Sequence, residues 1–276
     1  MMRSARARGG RELIELCAGS AAVALALGGM KPPVPIMGNK RTYAAQVLAA
    51  LGVEAPSRIT LVEPGEWGHT LTALFAQPSA VADAIIALKG DDRALFDRLR
   101  TSPAAVPGAE RAATHLFLSA RTYRGKPVYP DNDGWRTHGF DPEYRQPKQM
   151  GENTNPRGWS NPRPLLAKKV RAFDAWEGPP VRVLACRAED VTPTASAWVY
   201  IDPPYGNATG YPHDLTRACL LDVARRWAEA GARVAVSEAE PLPLHGWCAI
   251  PLTEVRRSRA FGAHKEWLTV SPERVT

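Results

Sequence analysis

Val199-Tyr200-Ile201-Asp202-Pro203-Pro204-Tyr205 is the stretch on which the reading of this chain turns. Three apolar, β-prone residues run into an acid, two prolines and an aromatic ring. The first half reads as a buried strand. The double proline must end it, because proline brings no N–H to a sheet ladder. Asp202 and Tyr205 are therefore delivered at the carboxyl end of a strand, where open α/β sheets bind ligands. The set suits a flat base with an exocyclic amine. The Asp202 carboxylate and a carbonyl freed by the prolines can accept amine hydrogens, and Tyr205 can stack on the ring.

Working outward, six more segments read as strands: 12–17, 58–62, 181–186, 232–237, 248–255 and 266–270, the last two as a hairpin. With 197–201 they make seven. The first strand runs into the turn Ala18-Gly19-Ser20 and a helix over 21–27. A strand, a glycine turn and a helix bring backbone close to a nucleotide-like ligand. The second strand ends at Glu63, the place where a nucleotide-binding α/β fold uses an acid to accept the ribose hydroxyls. Trp67 is placed either against a bound adenine or in the core. Helical stripes follow Tyr43, Val47, Leu48 and Leu51, closed by Gly52, then Val81, Ile85 and Leu88, then Leu95, Phe96 and Leu99. Further helices are predicted at 109–119 and around Leu220, Leu221, Ala224 and Trp227, the latter stopped by Gly231.

The totals bound the class. The chain has 276 residues, enough for one large domain or a domain with an insert. It carries 35 Lys and Arg against 28 Asp and Glu, a net charge of +7 that leans towards an anionic partner. Between residues 119 and 171 the count is 11 basic to 5 acidic. Basic side chains there are interleaved with Tyr123, Tyr129, Trp135, Tyr144 and Trp159, which suits phosphate contact plus base contact. Little periodicity is visible in this segment, and a loop of that length should be functional. Cys17, Cys186, Cys219 and Cys248 form no C-x-x-C pair, so neither a zinc ribbon nor a disulfide framework is signalled, and a reducing compartment fits. Arg3, Arg6, Arg8 and Arg11 precede an apolar run to Leu27 that superficially looks like a signal peptide. Glu12 and Glu15 interrupt it, so none is expected. No run reaches the roughly 18 apolar residues that span a bilayer. Residues 1–10 are predicted to be a disordered basic tail.

Asp202-Pro203-Pro204-Tyr205 resembles the catalytic tetrapeptide of the amino-methylating DNA methyltransferases. Gly206 to Tyr211 resembles the continuation found in the Dam-like adenine-N6 group. The resemblance implies an α/β fold: a seven-stranded Rossmann-like methyltransferase sheet with an inserted helical, loop-rich target-recognition region. It places the catalytic domain at 11–78 and 181–276, with the insert at 79–180. It implies S-adenosyl-L-methionine as cofactor, with double-stranded DNA as partner and a flipped adenine as target. Asp202, Pro203, Pro204 and Tyr205 become the catalytic set. Glu15, Cys17 and Gly19 resemble the family's cofactor loop, in which Cys17 stands for a phenylalanine and Ala21 for a second glycine. Lys40, in Gly38-Asn39-Lys40, resembles a lysine motif that reaches the cofactor carboxylate or a phosphate. In the Dam-like group that motif precedes the cofactor loop; here it follows. Glu63 and Asp190 match cofactor-binding acids. Arg121, Tyr123, Arg124, Lys126 and Arg136 loosely resemble the DNA-recognition segment, and Arg256-Arg257-Ser258-Arg259 could lie along a phosphate backbone.

No metal is signalled. The resemblance further implies a cytoplasmic, nucleoid-associated enzyme, a monomer or weak dimer. It is more readily a stand-alone methyltransferase than one paired with a restriction endonuclease. Two other readings stand beside this one. The amine methylated could be cytosine N4, an RNA adenine or a protein glutamine. Alternatively, the chain could be a DNA-binding relative without catalysis.

Overall fold

The computed structural model describes residues 10–34, 40–140, 162–204, 215–252 and 266–273. The tail 1–9, Gly38 and Asn39, Tyr144, Trp159, Tyr205 to Tyr211, and Arg256 to Arg259 lie outside these residues, as does the side chain of Arg124.

Strands β1 (Glu12–Leu16) and β2 (Arg58–Val62) come first in the chain. A small hairpin of β3 (Tyr129–Asp131) and β4 (Gly134–Arg136) stands apart. Then come β5 (Val181–Leu184), β6 (Ala197–Ile201), β7 (Arg233–Glu238), β8 (Cys248–Leu252) and β9 (Glu266–Val270). Seven of them make one sheet in the order β5-β2-β1-β6-β7-β9-β8. The first five in that order are parallel, while β9 is antiparallel to both β7 and β8. The expected closing hairpin is thus β8 with β9. The chain starts in the middle at β1, runs outward to β2 and β5, then returns to β6. The reversal falls between β1 and β6, and such a switch point opens a crevice at the carboxyl ends of the strands.

The helices are α1 (Ala22–Leu27), α2 (Ala44–Leu51), α3 (Glu66–Ala76), α4 (Pro78–Ala87), α5 (Asp92–Arg100), α6 (Ala109–Arg121), α7 (Pro162–Arg171) and α8 (Arg217–Glu229). Strand parity sorts the core into two layers. Leu13, Ile59, Leu61, Trp198, Tyr200 and Ala235 share one apolar cluster with side chains of α1, α2, α3, α4, α6 and α7. Ile14, Leu16, Val199, Ile201, Val234 and Val236 pack with Leu220, Val223, Ala224 and Trp227 of α8. Both faces are covered, which is why these strands read as unbroken apolar runs rather than alternating ones. The Arg-flanked apolar run near the start is part of this core: Leu13 and Leu25 are fully buried. No single helix among the described residues is long and apolar enough to cross a membrane.

Two helices escape the sequence reading. Helix α3, Glu-Trp-Gly-His-Thr-Leu-Thr, is poor in helix formers, and no side chain caps its start. Burial of Leu71 and Leu74 on the sheet and an ion pair from Glu66 to Arg111 of α6 hold it instead. Helix α7 occupies the tail of the supposed structureless segment. Its prolines fall in the first turn, where the missing N–H costs nothing, and Leu166, Ala167 and Val170 are buried.

A second correction concerns Trp135. It is not a base-contacting side chain but a core one, only 5% exposed in a cluster with Leu95, Phe96 and Phe117. Its ring stacks on His115, and Trp67 meets the same imidazole edge-on, which makes Trp67 a packing residue here. His115 is fully buried, with Nδ1 2.7 Å from Thr70 Oγ1. Burial pulls its pKa down to about 3, so it stays neutral.

Candidate active site

The site forms at the carboxyl ends of β1, β2, β6 and β7. Register and parity build it. Glu15 pairs with Tyr200 across β1 and β6, and Tyr200 pairs with Ala235 across β6 and β7. Two positions further along β6 and β7 come Asp202 and Ser237, on the same face as Tyr200 and Ala235. The Asp202 N–H donates to the carbonyl of Leu16, so the chain leaves β6 still tied to β1. Pro203 then follows, buried, and Pro204 half-buried.

Lys40 is the cation that meets Asp202. It is only 4% exposed. Its Nζ lies 2.9 Å from Asp202 Oδ1 and 3.6 Å from Glu266 Oε1. The connection from β1 to β2 explains how it gets there. After α1 the chain does not go straight to β2. It detours, so that α2 packs against α1 and against β6, β7 and β9. Lys40, just before α2, is carried over the ends of the strands on the far side of the switch point. Thus the lysine that follows the glycine turn in sequence reaches the tetrapeptide in space.

The glycine turn is tightly wound. Cys17, Gly19 and Ala21 all take positive φ, at 56°, 50° and 55°. Only Gly19 adopts this freely; the other two each store about 1–2 kcal/mol of strain. Ala21, where the family resemblance places a second glycine, therefore keeps the left-handed backbone that a glycine favours, while its methyl is fully buried. Alternating conformations of this kind turn backbone N–H groups inward, a concavity suited to negative charge. Here that charge is Glu63. Its Oε2 accepts from the Gly19 N–H and its Oε1 from the Gly65 N–H, both at 2.9 Å. Glu63 thus ties the end of β2 to the turn after β1.

Gly68 keeps that end accessible to α3. A Cβ there would come 2.2 Å from the Glu63 carbonyl oxygen. Gly68→Ala is therefore expected to push α3 off β2, lowering stability by about 2–3 kcal/mol. Chemical denaturation measures it; an unchanged midpoint would mean that the helix has room.

Glu15 turns inward, 3% exposed, and its Oε2 accepts from the Ala24 N–H at 2.9 Å. It serves α1 as the cap that no neighbouring side chain supplies. Burial, opposed by the amides of α1 and reinforced by the Asp202 charge, pushes its pKa up to about 8. Burial, then the carboxylates of Glu63 and Asp202, likewise push the Cys17 thiol up. Burial raises Glu238, at the end of β7, with Glu266 and Asp202 adding to the rise. Asp190 follows β5 in a single 3-10 turn and is exposed.

The structure therefore gathers Glu15, Cys17, Gly19, Lys40, Glu63, Asp202 and Pro203 at one edge of the sheet. It adds Ser237, Glu238 and Glu266, which the sequence reading did not single out. Parity places Ser237 on the Asp202 face only once β7 is known to lie beside β6, and Glu238 follows it at the strand end. Glu266 needed the antiparallel register of β9. The basic candidates lie elsewhere, around the end of α6. Arg121 is largely buried and bonds Asp92, so it ties α6 to α5. Tyr123 is 42% exposed, Lys126 half-buried, and Arg136 exposed with Asp131 at 3.9 Å. No protein-family model matches this chain, and no curated protein sequence matches it.

Proposed function

We propose that this chain is an S-adenosylmethionine-dependent methyltransferase acting on the N6 amine of adenine in double-stranded DNA. One observation carries the reading. Asp202 stands at the switch point of the sheet, followed by Pro203, held on Oδ1 by Lys40 and Ser237. The strand order of β5, β2, β1, β6 and β7 matches that of a doubly wound nucleotide-binding sheet, with the β8–β9 hairpin added.

The residues present suit the cofactor. It is a sulfonium with an ammonium group, hence cationic, and the edge carries the carboxylates of Glu63, Asp202, Glu238 and Glu266. Glu63 and the turn at Gly19 would hold its nucleoside end, with Asp190 further along the same edge. When bound, the cofactor supplies an electrophilic methyl group. The chain's own work is on the amine. Asp202 and the Pro203 carbonyl accept its two hydrogens, which draws the nitrogen towards tetrahedral geometry and localises its lone pair. Positive charge grows on that nitrogen during transfer. Asp202 stabilises it more in the transition state than in the neutral ground state, and that difference raises turnover. Tyr205 would stack on the base. A target amine inside a duplex must first be flipped out. Tyr123, Lys126 and Arg136 are the side chains assigned to the DNA.

The test is mass spectrometry of nucleosides from a host without adenine methylation that expresses the chain. N6-methyladenine is expected with the natural sequence and not with Asp202→Ala. N4-methylcytosine instead would keep the chemistry and change the base. No methylated base from soluble protein would overturn the reading.

A further inference from the structure

A chain of hydroxyl groups runs from Asp202 back into the sheet. Ser237 Oγ donates to Asp202 Oδ1 at 3.0 Å, and Tyr200 Oη lies 2.9 Å from Ser237 Oγ. Ser237 and Tyr200 are both fully buried. The direction of the chain follows from hydrogen counting. An ionised carboxylate only accepts, so the single serine hydrogen is given to Asp202. The serine oxygen must then accept from the tyrosine, and each donor is polarised by the next. Lys40 Nζ donates to the same carboxylate oxygen at 2.9 Å. Two donors from different elements converge on Oδ1, which fixes the rotation of the carboxylate and aims Oδ2 at one direction.

We propose that Ser237 and Tyr200 are positioning residues that hold Asp202 in the rotamer able to take an amine hydrogen. The proposal rests on the methyltransferase reading for its consequence, though the relay itself is a property of the fold. A buried serine hydroxyl needs partners, or its desolvation is uncompensated. Tyr200 precedes Asp202 by two residues, and Ser237 sits beside it in register. The three hydroxyl and carboxylate groups are therefore on one face by strand geometry alone.

Tyr200→Phe removes one oxygen and keeps the ring; Ser237→Ala removes the link. In single-turnover assays each is expected to slow methyl transfer about tenfold or more. The double variant should be no slower than the worse single one, and cofactor affinity by calorimetry should stay within about threefold. Ser237→Thr, which keeps the hydroxyl, should recover part of the rate. Rates unchanged in Tyr200→Phe, or losses that multiply in the double variant, would overturn the relay. A second readout does not depend on activity. Tyr200→Phe and Asp202→Asn should be coupled by about threefold or more in the unfolding constant, and Ser237→Ala should abolish that coupling. If the natural chain transfers no methyl group, the methyltransferase reading falls. The coupling then decides the relay by itself: present, it stands; absent, it fails.

Discussion

Asp202→Ala is expected to abolish methyl transfer, leave cofactor affinity within roughly tenfold, and destabilise the fold. The first effect follows from the proposed chemistry, in which the carboxylate stabilises the positive charge that grows on the amine. The last follows from Lys40. The lysine is 4% exposed, and among the described residues its ion pairs are with Asp202 at 2.9 Å and Glu266 at 3.6 Å. Breaking a buried pair by removing one partner costs about 3–5 kcal/mol, because the other charge is left uncompensated. Glu266 offsets part of that, so a loss of about 2 kcal/mol is expected. Adding Lys40→Met removes the orphan charge. The double variant should regain stability in chemical denaturation while remaining inactive, which separates a catalytic defect from an unfolded one. An Asp202→Ala protein as active as the natural one would sink the assignment of this carboxylate.

Stability should peak in a band of mildly acidic pH, with His115 and Glu15 setting its two sides. His115 has its pKa lowered from 6.5 to about 3 by burial in the folded protein. As pH falls below 6.5, the unfolded chain takes up a proton that the folded one refuses, so stability declines down to pH 3. Glu15 behaves oppositely. Its pKa rises from 4.5 to about 8, so the folded protein holds a proton that the unfolded chain has released. That contribution is complete below pH 4.5 and is lost as pH rises to 8. Between 4.5 and 6.5 the two slopes oppose each other, and a plateau results. At about 1.4 kcal/mol per tenfold change in proton affinity, each flank amounts to a few kcal/mol. Thermal or denaturant unfolding from pH 3 to 9 measures both. His115→Gln should flatten the acid side, and Glu15→Gln the alkaline side. A flank that survives its own substitution would place the titrating group elsewhere.

The sheet was legible in the sequence because each strand is a short apolar run ended by a turn former, a local signal. Arg58–Val62, Ala197–Ile201 and Glu266–Val270 coincide with the predicted spans; β1, β5 and β7 differ by one or two residues at their ends, and 253–255 of the predicted 248–255 strand lie outside the described residues. What was not legible depends on distant partners. Helix α3 has the composition of a loop and is made helical by what it packs on. Trp135 and Arg121 read as surface recognition residues. Aromatic and basic residues between prolines carry the same composition whether they face DNA or a small second core. The resemblance of Gly38-Asn39-Lys40 to a lysine motif, out of its usual order, implied only that Lys40 reaches a cofactor carboxylate or a phosphate. Its meeting with Asp202 came from the path of α2, which no motif encodes. Ser237 and Tyr200 were invisible for a simpler reason: a serine and a tyrosine in a strand are ordinary until the register sets them beside an acid.

The 118 residues between β2 and β5 join two neighbouring strands of the sheet. Leu71 and Leu74 of α3, Val81 and Ile85 of α4, Leu116 of α6 and Leu166 of α7 belong to the same apolar cluster as Leu13 and Tyr200 of the sheet. Such a segment cannot be excised as a module. Removing 79–180 would take away α4, α6 and α7 and expose to water the apolar side chains they cover, those of α3 among them. Unfolding should accordingly be one cooperative event, with calorimetric and van't Hoff enthalpies in agreement. Folding should be slow for the chain's size, because β5 reaches β2 only after a very long loop has closed.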